Sequence, residues 1–162
     1  MKKSDEYFMK EALKEAKKAL LLNEIPVGAV IVKDDKIIAR GYNKKETLGN
    51  ALAHAEIIAI NKASKKIGNY RLNDTKIYVT LEPCIMCMGA IISARIPELI
   101  YAAKDLRYGS VESFLNIKDY NFNHKINIKG EILSEESRNM IKGFFKNLRE
   151  EKNINSNYNK DI

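Results

Sequence analysis

The chain has 162 residues, of which 45% are hydrophobic and 30% charged, and its 28 basic and 21 acidic residues give a formal net charge of +7. This composition predicts one compact domain with a buried core, and it excludes a chain dominated by disorder, linkers or collagen-like repeats. No hydrophobic run reaches the ~18 residues of a membrane helix and the first residues lack the apolar segment of a signal peptide, so we expect a cytoplasmic protein without membrane contact.

Hydrophobic periodicity predicts the following elements in chain order. Apolar residues three to four apart predict a first helix, which Ser4 can cap. Apolar residues at 27–32 and 37–39, separated by the turn residues 33–35, predict a β-hairpin. The later elements are a buried helix over 51–64, a strand over 77–80, a helix from Pro83 to about Ala94, a strand over 99–102, a weak helical segment near 111–117, a strand over 126–133 and a last helix from Ser134.

The five strands alternate with about five helices, which indicates an α/β fold of three layers (α/β/α) around a five-stranded mixed sheet. The 22 residues 104–125 separate the fourth and fifth strands. A hairpin needs only a few residues whereas a parallel crossover needs a dozen or more, so the last two strands are predicted to be parallel with a helix between them. We expect one domain over residues 1–152 and a polar tail, 153–162, that frays.

Two short strings carry the residue types of a metal site: Ala-His-Ala-Glu at 53–56 and Glu-Pro-Cys-Ile-Met-Cys at 82–87. Each is predicted at a helix N-terminus, whose partial positive charge favours the thiolate form that binds metal. Residues two apart lie about 200° round a helix axis, so His54 and Glu56 can converge only if this string straddles the helix start. A regular helix through 52–58 would contradict the site.

Three ligands, His54, Cys84 and Cys87, leave one position of a tetrahedral zinc ion open, which is typical of a catalytic site. Zinc lowers the pKa of water bound there to about 7, and Glu56 beside the metal can carry the proton. Two other interpretations remain open. His124, the other histidine of the chain, would complete a closed structural Cys₂His₂ site, and a Cys-x-x-Cys pair alone also occurs in thiol redox proteins.

Together the strings match the H-x-E and P-C-x-x-C signature of zinc-dependent nucleobase deaminases. Over residues 5–150 the chain resembles the bacterial tRNA-specific adenosine deaminases in strings of the same order and spacing. They are Pro26-Val27-Gly28-Ala29-Val30, Gly41-Tyr42-Asn43, Ala53-His54-Ala55-Glu56, Asn69-Tyr70-Arg71-Leu72, Tyr78-Val79-Thr80-Leu81-Glu82-Pro83-Cys84 and Asn123-His124. The resemblance implies a cytidine deaminase-like fold, a homodimer with one Zn²⁺ per subunit, and hydrolytic deamination of adenosine to inosine at the first (wobble) position in the anticodon stem-loop of tRNA.

The resemblance also implies roles for single residues. His54, Cys84 and Cys87 would hold the zinc, and Glu56 would carry the proton while zinc-bound hydroxide attacks C6 and ammonia leaves. The substrate-binding residues that it implies are Asn43, Ala55, Asp105, Arg107, Phe144 and Phe145.

Structural roles compete with these substrate-binding assignments. Asn43 also suits a turn, a Phe pair on an amphipathic helix is more often part of the core, and a surface Asp or Arg is more often only solvated. The chain also departs from the family at Leu48-Gly49-Asn50, where Asp-Pro is common, and at Glu112, where Gly is common. Neither change touches the metal strings, but Glu112 would oppose a phosphate if it faced RNA.

The signature fixes hydrolytic deamination but not the base. The predicted parallel ending disfavours cytidine deaminase, which leaves a guanine or other free-base or nucleoside deaminase as the alternative. A non-catalytic RNA-binding subunit is an alternative from another class, but its expected mark is the loss of Glu56, which is present. If the positive charge serves RNA binding, a basic rim should surround the pocket, although the same Lys-rich excess arises in a nucleotide-biased genome. The residues expected at that rim are Lys44, Lys45, Lys104 and Arg107.

Overall fold

The computed structural model describes residues 2–158, with side chains through residue 154. The α-helices of this part are α1 (Asp5–Leu21), α2 (Ala55–Ile67), α3 (Ile85–Ser93) and α4 (Ser134–Tyr158), with one 3₁₀ turn at Ile117–Asp119. The strands are β1 (Gly28–Lys33), β2 (Lys36–Tyr42), β3 (Lys76–Leu81), β4 (Glu98–Ala103) and β5 (Asn127–Lys129). None of the helices in the described part is both long and apolar enough to span a membrane.

The strands form one mixed sheet in the order β2-β1-β3-β4-β5. Strand β1 is antiparallel to both of its neighbours, whereas β3, β4 and β5 are parallel. Strands β2, β3 and β4 therefore all end at the same edge of the sheet. The predicted five-stranded mixed sheet with parallel last strands is confirmed.

Alternating strand side chains fill both faces of the sheet, which explains the three layers. Helices α1 and α4 cover one face, and α2 and α3 cover the other. The first face buries Phe8, Met9, Ala12, Val30, Tyr78 and Ile100. The second buries Ile31, Ala59, Ile77, Val79, Met88, Ile91 and Leu99.

Two local predictions near the start of the chain are confirmed. Ser4 caps α1, because its side-chain oxygen accepts a hydrogen bond from the backbone N–H of Tyr7 at 3.2 Å. The hairpin turn places Asp34 and Asp35 at φ 49° and 55°. Two consecutive positive φ angles are typical of the type I′ turn, whose twist matches that of the strands it joins.

Helices α2 and α3, which start within the two sequence strings, begin later than predicted. Helix α2 begins at Ala55 rather than at residue 51, since residues 50–53 close a turn in which Asn50 accepts from the N–H groups of Leu52 and Ala53. Helix α3 begins after Cys84, so Pro83 precedes the cap instead of taking the first helical position. Both shifts bring a candidate metal ligand to the cap itself.

The second half of the chain departs from prediction in three places. The crossover between β4 and β5 holds turns and the 3₁₀ turn Ile117–Asp119 instead of an α-helix over 111–117. Strand β5 ends at Lys129, because Glu131 and Leu133 adopt left-handed φ angles of 63° and 55°. Helix α4 continues to Tyr158, past residue 152, while the fraying of the tail stays a prediction and residues 159–162 of it lie outside the described part.

Gly41 lets the start of α2 lie directly on β2. A Cβ atom at this position would stand 2.3 Å from the carbonyl oxygen of Ala55 and 2.8 Å from the backbone nitrogen of Ala59. Both are backbone atoms, which cannot move aside without displacing the helix. The absence of a side chain at Gly41 therefore sets the height of α2 above the sheet.

We expect Gly41→Ala to lower the free energy of unfolding by about 3 kcal/mol, because the added methyl group overpacks a backbone contact. Urea unfolding followed by circular dichroism measures the change. Gly143→Ala is the matched control, since a Cβ in that α4 position meets nothing within 4 Å. It should raise stability by about 0.5–1 kcal/mol, as Ala does in an open helix position. Equal midpoints for the two variants would contradict the close packing of α2 on β2.

Candidate functional site

The two sequence strings meet at the sheet edge where β2, β3 and β4 end. His54 is the N-cap of α2, with φ −76° and ψ 153°, and Cys84 is the N-cap of α3, with φ −73° and ψ 173°. Both residues are thus extended, and each stands just outside a helix start. The prediction that the His54 string straddles a helix start is confirmed.

His54, Cys84 and Cys87 bring three potential ligand atoms together. The Nδ1 atom of His54 lies 3.7 Å from Sγ of Cys84 and 3.5 Å from Sγ of Cys87, and all three atoms lie within 4.8 Å of one another. Ligands of a tetrahedral zinc ion, at bond lengths of 2.0–2.3 Å, stand about 3.6 Å apart. The spacing and the donor types therefore fit a metal ion held by these three residues.

Hydrogen bonds among the three side chains set their protonation. A hydrogen bond from the Cys87 thiol lowers the pKa of Cys84 to about 4, and the same bond raises the pKa of Cys87. The hydrogen bond with Cys84 raises the pKa of His54. These opposite shifts favour the thiolate form at Cys84 and the protonated thiol at Cys87. Because the thiolate is the ligand form, metal binding must displace the Cys87 proton.

Glu56 lies in the first turn of α2, buried beside the cluster, but its carboxylate is not one of the three grouped ligands. Burial raises the pKa of Glu56 to about 6. A carboxyl group with a pKa near neutrality can both accept and return a proton. The position and the pKa of Glu56 suit proton transfer rather than metal ligation.

A cavity of about 350 Å³ opens beside the cluster, a size within the usual range of small-molecule pockets. Three of the six predicted substrate-binding residues, Asn43, Ala55 and Asp105, line it. Arg107, Phe144 and Phe145 do not. The full lining is Ile25, Val27, Asn43, Lys45, His54, Ala55, Glu56, Leu81, Glu82, Cys84, Asp105 and Tyr108.

The polar pocket residues are fixed by their own hydrogen bonds. Asn43 is buried, its Nδ2 donates to the carbonyl of Ile25 at 3.2 Å, and its Oδ1 accepts from the N–H of Lys45 at 3.1 Å. Asn43 therefore has the structural role in a turn that was the alternative to substrate binding, and it lines the pocket as well. Asp105 in turn accepts from the N–H groups of Arg107 and Tyr108 at 3.0 and 3.3 Å.

The other predicted substrate contacts lie apart from the cavity. Arg107 is exposed on the segment after β4. Phe144 and Phe145 are partly buried on α4, on the sheet face opposite α2 and α3, with ring centroids 5.3 Å apart in an edge-to-face contact. In the described part of the chain neither ring belongs to the two hydrophobic core clusters, and contact of the pair with RNA stays a prediction.

The expected basic rim is formed only in part. Of its four residues, Lys45 alone lines the cavity. Lys104 pairs with Glu112 at 3.4 Å, and Lys44 lies over the ring of Tyr42 at 4.7 Å from its centroid. Glu112 also accepts a hydrogen bond from the hydroxyl of Tyr101 at 2.5 Å, so the residue that departs from the family pattern is exposed but contacts two side chains of the protein itself.

His124 takes no part in the cluster. Its Nε2 atom lies 2.8 Å from the carbonyl oxygen of Ile96, and the one group of potential metal ligands found in the described residues is that of His54. The closed Cys₂His₂ alternative does not form.

Sequence reasoning missed Ile25, Val27, Leu81 and Tyr108 as pocket residues, and it gave Glu82 no role of its own. The sequence offered one signal for Leu81, Glu82 and Tyr108. Leu81 and Glu82 stand at the end of β3, and Tyr108 follows soon after β4. Ligands of α/β proteins bind outside the carboxyl ends of parallel strands, so these positions deserved a place among the candidates.

Three comparisons identify what the chain is similar to. Residues 3–149 match the model of the MafB19-like deaminase family. A tRNA-specific adenosine deaminase of Streptococcus pyogenes serotype M1 is 48% identical over 149 residues, which cover 91% of this chain and 87% of that protein. A solved structure from a study of A-to-I editing by tRNA:A34 deaminases at the wobble position superposes with a TM-score of 0.80 at 40% identity, covering 83% of this chain and 98% of that one.

A solved guanine deaminase of Bacillus subtilis is also similar, at 45% identity and a TM-score of 0.60. The match covers 63% of this chain and 66% of that one. The similarity to the tRNA-specific enzymes therefore extends over much more of the chain.

Titration of the metal-free protein with Zn²⁺ against a chromophoric chelator tests whether His54, Cys84 and Cys87 bind a metal ion. We expect one ion per chain, with release of the Cys87 proton, because only the thiolate binds metal. His54→Ala removes a ligand and should weaken binding by more than the roughly 100-fold that loss of a ligand's outer partner causes. His124→Ala is the matched control and should bind Zn²⁺ like the wild type. Equal losses in both histidine variants would contradict the assignment.

Proposed function

The chain belongs to the family of tRNA-specific adenosine deaminases, and on that premise we propose that it hydrolytically converts adenosine to inosine at the wobble position of a tRNA anticodon. The observation that carries this proposal is the convergence of His54, Cys84 and Cys87 with the buried Glu56 at one wall of a base-sized cavity. A metal-activated water and a proton carrier side by side are what hydrolytic removal of an exocyclic amino group requires.

The donor set supports zinc as the resident metal, with one ion per chain. Two thiolates and an imidazole suit a borderline-soft ion, whereas magnesium and calcium select oxygen ligands. When bound, zinc lowers the pKa of a water molecule to about 7 and so supplies a nucleophile at neutral pH.

Glu56 moves the protons of the reaction. Water adds its oxygen to C6 of the adenine ring, and the Glu56 carboxylate takes a proton from that water and returns it to N1. The same carboxyl then carries the second proton to the 6-amino group, the C6–N bond breaks, and ammonia leaves. The raised pKa of Glu56 supports this double role, since a carboxyl of ordinary acidity would return the proton poorly.

Asn43, Ala55 and Asp105 are the residues that we propose to hold the target base. Asn43 offers an amide to the cavity from a position that its turn contacts fix, and Ala55 lines the wall between His54 and Glu56. Asp105 lines the cavity from the segment that follows β4. Fixed polar groups of this kind orient a base without reorganising during the reaction.

An anticodon stem-loop fits the site because its bases are already splayed, so that little unstacking energy is lost when one enters the cavity. With tRNA as substrate, we place the reaction in the cytoplasm. We propose a homodimer as well. Leu48, Leu52 and Ile85 are exposed apolar side chains near the starts of α2 and α3, and a second copy of the chain would cover them.

A guanine deaminase is the second candidate, favoured by the similarity to the Bacillus subtilis enzyme. The shorter extent of that match makes it the weaker candidate. The two functions differ in whether the base arrives free or in RNA.

Incubating the zinc-loaded protein with tRNA bearing adenosine at the first anticodon position, beside free guanine, adenosine and cytidine, tests the function. We expect inosine in the tRNA and no ammonia from the free compounds. The same tRNA with guanosine at that position is the control and should release no ammonia. Deamination of guanine alone would favour the second candidate, and tRNA binding without ammonia release would indicate a non-catalytic subunit.

Glu56→Gln should lower kcat by about 10²–10⁴, the usual contribution of a positioned proton carrier. Its zinc content should equal that of the wild type, because Glu56 is not a ligand. In the wild type, kcat should fall as the pH drops below about 6, where Glu56 becomes protonated and can no longer accept a proton. Loss of zinc from the variant would show that Glu56 had been misassigned. Stopped assays with metal analysis measure both quantities.

A further inference from the structure

The loop of residues 105–113 follows β4, and its backbone converges on the buried carboxylate of Glu82, which is 2% exposed. Oε1 accepts hydrogen bonds from the N–H groups of Val111, Glu112 and Ser113 at 3.0, 2.8 and 3.1 Å. Oε2 accepts from the N–H of Asp105 at 3.1 Å and also from the hydroxyl of Ser113. One side chain thus binds both ends of the loop.

Residues 111–117 do not form the predicted helix, because the N–H groups of Phe114 and Leu115 donate to the carbonyl of Gly109 and not to the carbonyls four residues back. The N–H groups of residues 111–113 are directed at the Glu82 carboxylate, an arrangement that binds negative charge strongly. A buried carboxylate needs such partners, since an unsatisfied buried charge is costly. The Glu82 carboxylate and the loop conformation therefore depend on each other.

The lack of a side chain at Gly109 lets the loop backbone pack directly against the Glu82 carboxylate. A Cβ atom at this position would lie 2.4 Å from Cδ of Glu82 and 2.5 Å from the carbonyl oxygen of Asp105. The N–H of Gly109 also donates to that carbonyl at 2.9 Å. The loop is therefore packed against Glu82 as well as hydrogen-bonded to it.

Tyr108 stands on this anchored backbone at the mouth of the cavity. Its N–H donates to Oδ1 of Asp105 at 3.3 Å, and its carbonyl accepts from the hydroxyl of Ser110 at 3.4 Å. Its side chain lines the cavity and is nevertheless 67% exposed. A single exposed Tyr is ordinary, but here a fixed backbone presents an aromatic ring beside the pocket that takes the target base.

We propose that Tyr108 is a stacking platform for a nucleobase adjacent to the target adenosine, and that Glu82 is the positioning residue that holds the platform in place. The proposal rests on the proposed function, because it requires a single-stranded RNA loop as substrate. Unstacked bases bind proteins largely by stacking on aromatic side chains, whatever the base. A platform already held in position loses little entropy when the RNA binds.

Steady-state kinetics on an anticodon stem-loop RNA test the platform. Tyr108→Ala should raise KM about 5- to 100-fold with little change in kcat, as the loss of one stacked base does. Tyr108→Phe keeps the ring and should behave like the wild type. Stem-loops with an abasic nucleotide on one or the other side of the target adenosine identify the stacked base. One of them should raise the wild-type KM to that of Tyr108→Ala and should not raise the KM of the variant further.

Glu82→Gln tests the positioning role, because an amide directs a donor group at the loop N–H groups and cannot accept all five bonds. We expect an unchanged zinc content, faster hydrogen exchange at the amides of residues 111–113, and a raised KM. Combining Glu82→Gln with Tyr108→Ala should raise KM no further than the larger single effect, since both remove the same contact. A merely structural role would give additive effects.

Ser137→Ala is the matched control for lost stability. Ser137 is buried and donates to the carbonyl of Thr80, outside the cavity lining, so its loss should lower the melting temperature without changing KM. A wild-type KM in Tyr108→Ala, or additive KM effects in the double variant, would overturn the inference while leaving the proposed function intact. Failure of the wild type to deaminate the stem-loop would instead overturn the proposed function.

Discussion

The meeting of two helix starts at one sheet edge is the constraint on which the rest of this structure depends. His54 caps α2 and Cys84 caps α3, and their ligand atoms come within 3.7 Å because β2 and β3, which flank β1, end at the same edge of the sheet. Gly41 adds the close approach that seats α2 on the sheet. Had either helix begun one turn earlier, its ligand would lie on the helix surface and face elsewhere.

Two buried glutamates, Glu56 and Glu82, line the cavity, and their different surroundings suit them to different roles. At Glu56 burial dominates and raises the pKa to about 6, so the carboxyl can exchange a proton at neutral pH. At Glu82 the carboxylate oxygens are occupied by donors from the 105–113 loop, so the group organises backbone instead. Of these two residues of the same type, Glu56 therefore suits proton transfer, whereas Glu82 holds the backbone of the 105–113 loop.

The net charge of +7 does not produce the expected ring of four basic residues around the cavity. Lys45 is the basic residue of the expected rim that lines the cavity, whereas Lys104 is paired with Glu112. The cavity surface near His54, Cys84 and Cys87 is instead formed in part by a loop that carries Tyr108 and Asp105. Stacking and shape therefore carry more of the proposed RNA recognition than a ring of positive charge does.

The sequence by itself determined the layered α/β fold, the parallel last strands, and the grouping of His54, Cys84 and Cys87 with Glu56 beside them. Those features follow from local periodicity, connection length and the few side chains whose chemistry binds metal. Only the tertiary structure decided the helix starts, the unwound crossover and the pocket residues Ile25 and Val27. The reason is physical: the distant carboxylate of Glu82 binds the N–H groups of residues 111–113, the following N–H groups donate to the carbonyls of Gly109 and Ser110, and close backbone contacts fix where a helix begins. Contacts between residues far apart in the chain leave no periodic trace in the sequence.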